Sequence, residues 1–296
     1  MTQKVFFNDS IIGSSRAHIN CADGGFLYGA GLFETMRASN GVVFALDDHL
    51  DRLFNSADKL KINIRGDLPR RAEGTTGKKF IADAVYETLN ANELKDARIR
   101  LTATSGAMNA EKSQPTLLIT AVNLEPYPKN YYDKGIMVIL NSYRQNPQDI
   151  LSGHKTTSYF SRIFALGIAH QKRAAEALWF TTEGLLAEGC VSNVFIVKDS
   201  VVYTPSLKTG ILPGIARKMV LDLTGKNSIK IEEKELGVEE LLDADEVFIT
   251  NVIMQVLPVI AVESHNVGNA KPGSVTKKIL ALYTEFFNQY CSGKKR

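Results

Sequence analysis

A primary amine forms a Schiff base with an aldehyde, an arginine and a helix N-terminus neutralise a phosphate, and a carboxylate keeps a ring nitrogen protonated. This sequence holds those parts as Lys155, Arg52, the turn Leu212-Pro213-Gly214 ahead of a helix, and Glu188 in a glycine turn, with Tyr159 just behind the lysine. Each also has an ordinary reading. Lys155 can be a solvated loop lysine, Arg52 can pair with Asp48 along its own helix, Glu188 can cap a turn, and Gly214 can be a bend. Sequence separation alone does not select them, but together they are what a pyridoxal phosphate site requires.

Other chemistries lose their support on inspection. Gly29-Ala-Gly31 begins like a dinucleotide fingerprint, but Glu34 stands where a third glycine belongs and a strand follows instead of a helix. Gly77-Lys78 lacks the upstream glycine and downstream hydroxyl of a P-loop. The five histidines, His18, His49, His154, His170 and His265, show no metal spacing, so no metal is expected. Ser192 lacks the second glycine of a nucleophile elbow. The three cysteines Cys21, Cys190 and Cys291 are too far apart for a disulfide framework or a zinc pair; all three are expected as reduced thiols, with Cys190 a small buried one.

The elements that must position these residues belong to an ordinary globular chain of 296 residues, 44% hydrophobic and 23% charged, long enough for two domains. With 35 basic against 32 acidic residues the net charge is +3, which gives no reason to expect nucleic acid or an acidic membrane; Lys294, Lys295 and Arg296 form only a short, frayed basic tail. No apolar run approaches the roughly 20 residues of a membrane span. Asp9 interrupts the N-terminal stretch where a secretory signal would be apolar, so the expected location is cytoplasmic.

Alternation predicts strands at 4–7, 32–38 and 42–45, the last two closed by the type I′ hairpin signal Asn40-Gly41. Leu50, Leu53, Phe54, Ala57 and Leu60 predict a helix over 47–60 capped by Asp47 or Asp48, followed by a helix over 78–89 and strands at 98–104 and 116–123. The prolines of Glu125-Pro126-Tyr127-Pro128 mark a linker, 123–130, between a small N-terminal domain (1–122) and a larger C-terminal one (131–296). In the second half we expect a strand at 137–141 and a helix from about Thr157 to Lys172. Short strands at 177–181, 194–197, 201–204 and 245–250 follow, with a helix after Gly214. A closing helix over 276–290 has Ile279, Leu280, Tyr283, Phe286, Phe287 and Tyr290 inward. Without a strict βαβ rhythm, the expected class is mixed α/β or α+β in two domains.

Seven segments resemble, in order and over nearly the whole chain, the class IV aminotransferases of the fold-type IV architecture. They are Phe26-Leu-Tyr-Gly-Ala-Gly-Leu-Phe-Glu-Thr-Met-Arg37, His49-Leu-Asp-Arg-Leu53, His154-Lys-Thr-Thr-Ser-Tyr159, Ala187-Glu-Gly-Cys-Val-Ser-Asn-Val-Phe195, Thr204-Pro205, Gly210-Ile-Leu-Pro-Gly-Ile-Ala-Arg217 and Ala244-Asp-Glu-Val-Phe248. That family comprises branched-chain aminotransferases, D-amino-acid aminotransferases and 4-amino-4-deoxychorismate lyases. The resemblance implies two α/β domains with pyridoxal phosphate in the cleft between them, a homodimer, and an amine as small-molecule substrate. It makes Lys155 the Schiff-base lysine, a role that needs a neutral amine, favoured by burial and by neighbouring cations such as Arg52. Tyr159, one helical turn on if the helix has begun, is the tyrosine that meets the cofactor's ring oxygen. Arg52 binds the phosphate, and Glu188 faces the pyridine nitrogen and favours its protonated form.

Two departures from that pattern stand out. Ile215-Ala216 lacks the hydroxyl many transaminases carry there, and Asn251-Val252-Ile253 replaces the Gly-Thr-Ala of branched-chain enzymes, so phosphate binding should lean on Arg52 and the backbone amides of Ile215, Ala216 and Val252. Thr250-Asn251, Phe33-Glu-Thr35 and Arg98-Ile-Arg100 resemble the lyases more than the branched-chain group. Arg98 and Arg100 share one strand face and can meet an anionic substrate, unless they merely solvate an edge strand. Tyr28, Thr35, Arg37, Arg98 and Arg100 are the candidate substrate residues, in a pocket that also depends on the loop Gly106–Pro115 and on a partner subunit. The favoured reading is the lyase, with an aminotransferase or a non-catalytic cofactor-binding protein as alternatives.

Overall fold

The computed structural model describes residues 3–64, 77–108 and 114–293. The basic tail Lys294-Lys295-Arg296 and part of the loop Gly106–Pro115 lie outside the described residues. The chain divides into two compact units, one of Met1–Glu125, His154–Tyr159 and Gln289–Arg296, the other of Pro126–Gly153 and Phe160–Asn288. Lys155, which an uninterrupted C-terminal domain would contain, therefore belongs with the first unit.

In the first unit the elements run β1 (Lys4–Phe7), β2 (Ser10–Gly13), α1 (Gly24–Tyr28), β3 (Gly31–Ser39), β4 (Val42–Val43), α2 (Leu46–Leu60), α3 (Gly77–Ala91), β5 (Ala97–Thr104) and β6 (Leu117–Asn123). The strands form one sheet in the order β2-β1-β6-β5-β3-β4, every neighbouring pair antiparallel. Asn40 and Gly41 form the two-residue turn between β3 and β4 with φ of 51° and 77°, the left-handed pair that a type I′ hairpin requires. Strand alternation sends Leu32, Met36, Ile99, Leu101 and Ile119 into a core with Leu50, Leu53 and Phe54 of α2 and Ile81, Val85 and Leu89 of α3. β5 lies between β6 and β3, so Arg98 and Arg100 are not on an edge strand.

Helix α2 starts at Leu46 with no side-chain cap, correcting the assignment of Asp47 or Asp48 as its cap. The start is fixed one residue earlier by burial of Leu46 behind Ala45, whose φ is 51°. Asp47 lies in the first turn, where a negative charge suits the helix dipole, and pairs with Lys78 of α3 at 3.3 Å.

The second unit contains α4 (Lys129–Lys134), β7 (Ile136–Gln145), α5 (Phe160–Gln171), β8 (Glu176–Thr181), β9 (Leu186–Gly189), β10 (Asn193–Lys198), β11 (Val201–Pro205), α6 (Ile215–Lys226), β12 (Ile231–Lys234), α7 (Val238–Leu242), β13 (Glu246–Asn251), β14 (Gln255–Val262), β15 (His265–Asn266) and α8 (Ser274–Cys291). Its sheet runs β12-β11-β10-β13-β14-β7-β8-β9, and β9 then pairs back onto β10 through Glu188 and Asn193, closing six strands into a barrel. Parallel β14–β7 and β7–β8 pairs beside antiparallel ones make the class mixed, as expected. On α8, Ile279, Tyr283 and Phe287 are buried, but Leu280 and Phe286 are only half-buried and Tyr290 is exposed. A stripe of six is wider than the buried face of one helix. Tyr290 and Cys291 count with the first unit, Tyr290 edge-on to Phe44 at 5.0 Å and Cys291 Sγ toward the Val42 carbonyl.

Asp23, fully buried, caps α1 by accepting from the Gly25 and Phe26 amides, while its other oxygen accepts from Thr104 Oγ1 at 2.7 Å and Thr116 Oγ1 at 2.6 Å. One carboxylate thus joins α1 to the ends of β5 and β6. Asp23→Ala strands these donors and should lower unfolding stability by about 2 kcal/mol or more, read from the urea midpoint.

Candidate active site

Lys155 is placed by backbone pairing. Its carbonyl accepts from Phe33 N at 2.9 Å, Thr157 N donates to Gly31 O at 2.9 Å, and Thr157 Oγ1 donates to Gly29 O at 2.8 Å. Residues 155–157 are therefore an extended stub along β3, and α5 begins only at Phe160. This corrects the expected helix start at Thr157. Tyr159 precedes the helix, because the stub's hydrogen bonds to β3 compete with helical ones. The close approach also accounts for Gly29-Ala-Gly31: a Cβ on Gly29, whose φ is 68°, would collide with Ser158 Oγ.

The stub brings together four residues. Lys155 Nζ lies 4.5 Å from the Phe33 ring centroid and 5.7 Å from that of Tyr159, and the two rings meet edge to face at 5.2 Å. The Arg100 guanidinium sits 3.8 Å over Phe33. In register Thr35 opposes Arg100 and Arg37 opposes Arg98, so all four share the sheet face that carries Phe33. Desolvation and, after it, the like charge of Arg98 hold Arg100 below its ordinary pKa. Tyr28 is exposed on α1, next to the Gly29 that receives Thr157.

On the opposite face of β3, Glu34 is buried against α2. It accepts from Arg52 Nε at 2.8 Å and Arg52 Nη2 at 2.6 Å, and meets His49 Nδ1 at 2.7 Å. Arg52 is thus held in a bidentate pair by Glu34 of β3. Burial alone would raise Glu34, but the charge of Arg52 and the hydrogen bonds from His49 and Arg52 overcome it and hold the carboxyl at about 2. His49 is depressed, first by burial and then by the charges of Arg52 and Lys155. Further along α2, Ser56 Oγ meets His154 Nδ1 at 2.9 Å, tying the helix to the residue before Lys155. Glu34 and His49 escaped the sequence reading; the available signal was His49 and Arg52 one turn apart on an otherwise apolar helix face.

The remaining site residues belong to the second unit, where Glu188, Asn193 and Thr250 form a cross-strand row on β9, β10 and β13. Glu188 Oε2 accepts from Leu212 N at 3.0 Å and Asn193 Nδ2 donates to Leu212 O at 2.9 Å, docking the turn before α6 onto that row. A Cβ on Gly214 would collide with Asn193 Oδ1, so glycine is required there. α6 starts without a side-chain cap, leaving first-turn amides, including those of Ile215 and Ala216, with no acceptor in their own helix. Thr250 Oγ1 is buried with no partner among the described residues. Asn251 folds the next turn by accepting from the Ile253 and Met254 amides, which positions Val252.

Behind the row, buried Glu176 accepts from the amides of Ala177, Cys190 and Val191 and from Ser192 Oγ, fixing the turn after Glu188. Desolvation raises its pKa above the ordinary carboxyl value. Cys190 donates toward Ala177 O and receives Trp179 Nε1; burial pushes its thiol up to about 12, consistent with an inert core residue. None of the three cysteines forms a disulfide. Within the first unit, an amine beside an aromatic ledge suits an aldehyde; within the second, an uncapped helix start with an orphaned hydroxyl suits a phosphate, and a buried carboxylate suits a ring nitrogen, the groups of pyridoxal phosphate.

Residues 31–262 match the model of amino-transferase class IV. The chain belongs to the class IV aminotransferase family. Members of this family are pyridoxal-phosphate-dependent enzymes, here an aminotransferase or a lyase. The chain is 35% identical to a putative branched-chain-amino-acid aminotransferase of Methanocaldococcus jannaschii over 93% of each chain. It is 30% identical to the D-alanine aminotransferase of Bacillus licheniformis, over 93% of this chain and 94% of that one. Identity to the aminodeoxychorismate lyase of Bacillus subtilis is also 30%, over 94% and 93%. The branched-chain aminotransferase of Thermoproteus uzoniensis, solved with norvaline, superposes with a TM-score of 0.86 at 27% identity, over 100% of this chain and 97% of that one. No helix among the described residues is long and apolar enough to cross a membrane.

The buried Glu34–Arg52–His49 group has a pH signature. Glu34, depressed from 4.5 to about 2, contributes stability above pH 4.5 that is lost as pH falls toward 2. His49, depressed from 6.5, adds a loss that begins below pH 6.5, because the unfolded chain takes up that proton first. Glu34→Gln should lower stability by about 3 kcal/mol near neutrality by leaving Arg52 without its carboxylate. It should also flatten the acid limb between pH 4.5 and 2 in denaturant titrations; an unchanged limb would show that Glu34 does not drive it.

Proposed function

We propose that this enzyme is a 4-amino-4-deoxychorismate lyase, releasing pyruvate and forming 4-aminobenzoate for folate biosynthesis. The observation that carries the reading is the pair Arg98 and Arg100 on an interior strand, sharing the face of Phe33 and Lys155. Among the described residues neither arginine meets a carboxylate, and burial, with the like charge of Arg98 after it, raises the cost of the charge on Arg100. A substrate with two carboxylates, as aminodeoxychorismate has, offsets that cost by charge-assisted hydrogen bonds, whereas an aliphatic amino acid brings only one. The Bacillus subtilis lyase, 30% identical, supports the same reading.

Pyridoxal phosphate, when bound, supplies an electron sink beside the substrate's amine. Arg52, oriented by Glu34, would neutralise the phosphate, as would the amides of Ile215, Ala216 and Val252, and the buried Thr250 Oγ1 would offer a hydroxyl where Ala216 has none. Tyr159 would donate toward the ring oxygen, and Glu188 would hold the ring nitrogen's proton. Lys155 would anchor the cofactor, and its amine would take the proton from the carbon beside the substrate's nitrogen and pass it to the departing enolate, so that the C–O bond breaks, pyruvate is released and an aromatic ring is left. In an aminotransferase, the reading favoured by 35% identity to the Methanocaldococcus protein, the same amine would return the proton and an amino group would pass to a keto acid.

The test gives the cofactor-loaded protein aminodeoxychorismate in one tube, and D-alanine, L-leucine or L-glutamate with 2-oxoglutarate or pyruvate in another. Release of 4-aminobenzoate without a keto acid, lost in Lys155→Ala, is the expected result. Amino transfer with no such release would make it an aminotransferase, and cofactor binding without either reaction a non-catalytic protein. We also infer a homodimer, from the family resemblance; sedimentation as a monomer at working concentration would remove that claim.

A further inference from the structure

We propose that Arg162 is a positioning residue for the reaction: it fixes Glu188 as an acceptor only, so that a proton shared between Glu188 and the cofactor's ring nitrogen stays on the nitrogen. The inference rests on the reading of Glu188 given above.

Arg162 rises from the first turn of α5, and its guanidinium lies 4.5 Å from the ring centroid of Trp179 on β8. Nη2 donates to Glu188 Oε1 at 2.8 Å and to Gln145 Oε1 at 2.7 Å, and Nη1 donates to Gly189 O at 3.1 Å. These contacts lie on β7, β8 and β9, three successive strands of the barrel, so the planar fork cannot turn without breaking several of them at once. The pair is largely desolvated, with side-chain exposures of 17% for Arg162 and 10% for Glu188.

The consequence follows from a census of donors. Glu188 Oε1 receives Arg162; Oε2 receives the Leu212 amide at 3.0 Å, with Asn193 Nδ2 at 3.5 Å. Asn193 is oriented by its bond to the Leu212 carbonyl, so its amide nitrogen faces Glu188. Each of these neighbours donates. A protonated Glu188 would have to turn an O–H against one of them, whereas the carboxylate satisfies all and keeps lone pairs for one donor more. Gln145, accepting from the same Nη2, and Gly189, accepting from Nη1, hold Arg162 as further acceptors and keep the guanidinium against Glu188.

The experiment uses protein loaded with pyridoxal phosphate labelled with 15N in the ring. It compares wild type, Arg162→Gln, Arg162→Lys, Glu188→Gln and the double variant Arg162→Gln/Glu188→Gln. Two quantities are read: the ring-nitrogen chemical shift and the rate at which a bound amine substrate exchanges its labile proton with solvent. Wild type should show a protonated ring nitrogen. Arg162→Gln should move the shift toward neutral pyridine and slow exchange on the order of tenfold, the size of one lost hydrogen bond between charged groups. Arg162→Lys, which keeps the charge, should retain the protonated shift. The double variant should be no slower than Glu188→Gln alone, because Arg162 acts through Glu188.

A protonated shift in Arg162→Gln, a neutral one in Arg162→Lys, or additive losses in the double variant would overturn the proposal and leave Arg162 as a brace of the barrel. If Arg162→Gln does not fold, the Lys variant decides alone by the same criterion. A ring nitrogen still protonated in Glu188→Gln would remove the reading of Glu188 itself. A neutral nitrogen in Glu188→Gln with an unchanged one in Arg162→Gln would remove only the proposal.

Discussion

Two backbone hydrogen bonds, Phe33 N to Lys155 O and Thr157 N to Gly31 O, are the constraint on which the first unit's chemistry depends. β4 pairs with β3 only at Ala38 and Ser39, so the rest of that side of β3 would be an open edge. The stub carrying Lys155 covers its start. The stub is extended over 155–157 and then turns, Tyr159 N donating to Thr157 O at 2.8 Å, and Lys155 and Tyr159 both arrive at Phe33. The same pairing explains why glycine stands at 29: a side chain there would push Ser158, and the stub with it, away from the sheet.

Three buried carboxylates show how the type of partner distinguishes the work of an anion. Glu176 is surrounded chiefly by amides of one turn and holds backbone. Glu34 is surrounded by Arg52 and His49 of one helix and aims a cation. Glu188 takes one side chain from α5 and one amide from the turn before α6, so it joins elements distant in sequence at the strand pair that closes the barrel. Removing any of the three leaves donors buried without an acceptor, but only for Glu34 and Glu188 is one of those donors a fixed cation.

Features that depend on near neighbours were legible in the sequence. The Asn40-Gly41 hairpin, the apolar stripe of α2 and the helix after Gly214 need only local periodicity and turn chemistry. Features decided by distant partners were not. The start of α5 moved because Thr157 pairs with Gly31, and the supposed caps Asp47 and Asp48 lost their role because Leu46 is drawn into the core. Glu34 reads as one more position in an apolar strand until α2 folds back and brings Arg52, 18 positions on, against it. The site residues themselves became visible through the family motifs; periodicity supplied only the elements that carry them.

The first unit is built from three separated stretches of chain, and this bears on the order in which it can be completed during synthesis. As the polypeptide leaves the ribosome, residues through Glu125 can assemble the six-stranded sheet while the ledge at Phe33 still has no stub against it. That ledge, with its unpaired strand edge and adjoining arginines, is available to other chains until residues 154–159 emerge. Phe44 waits longer still for Tyr290. A nascent chain of this topology therefore passes through a stage in which the Phe33 ledge is an open strand edge, a stage that lasts at least until residues 154–159 have been synthesised.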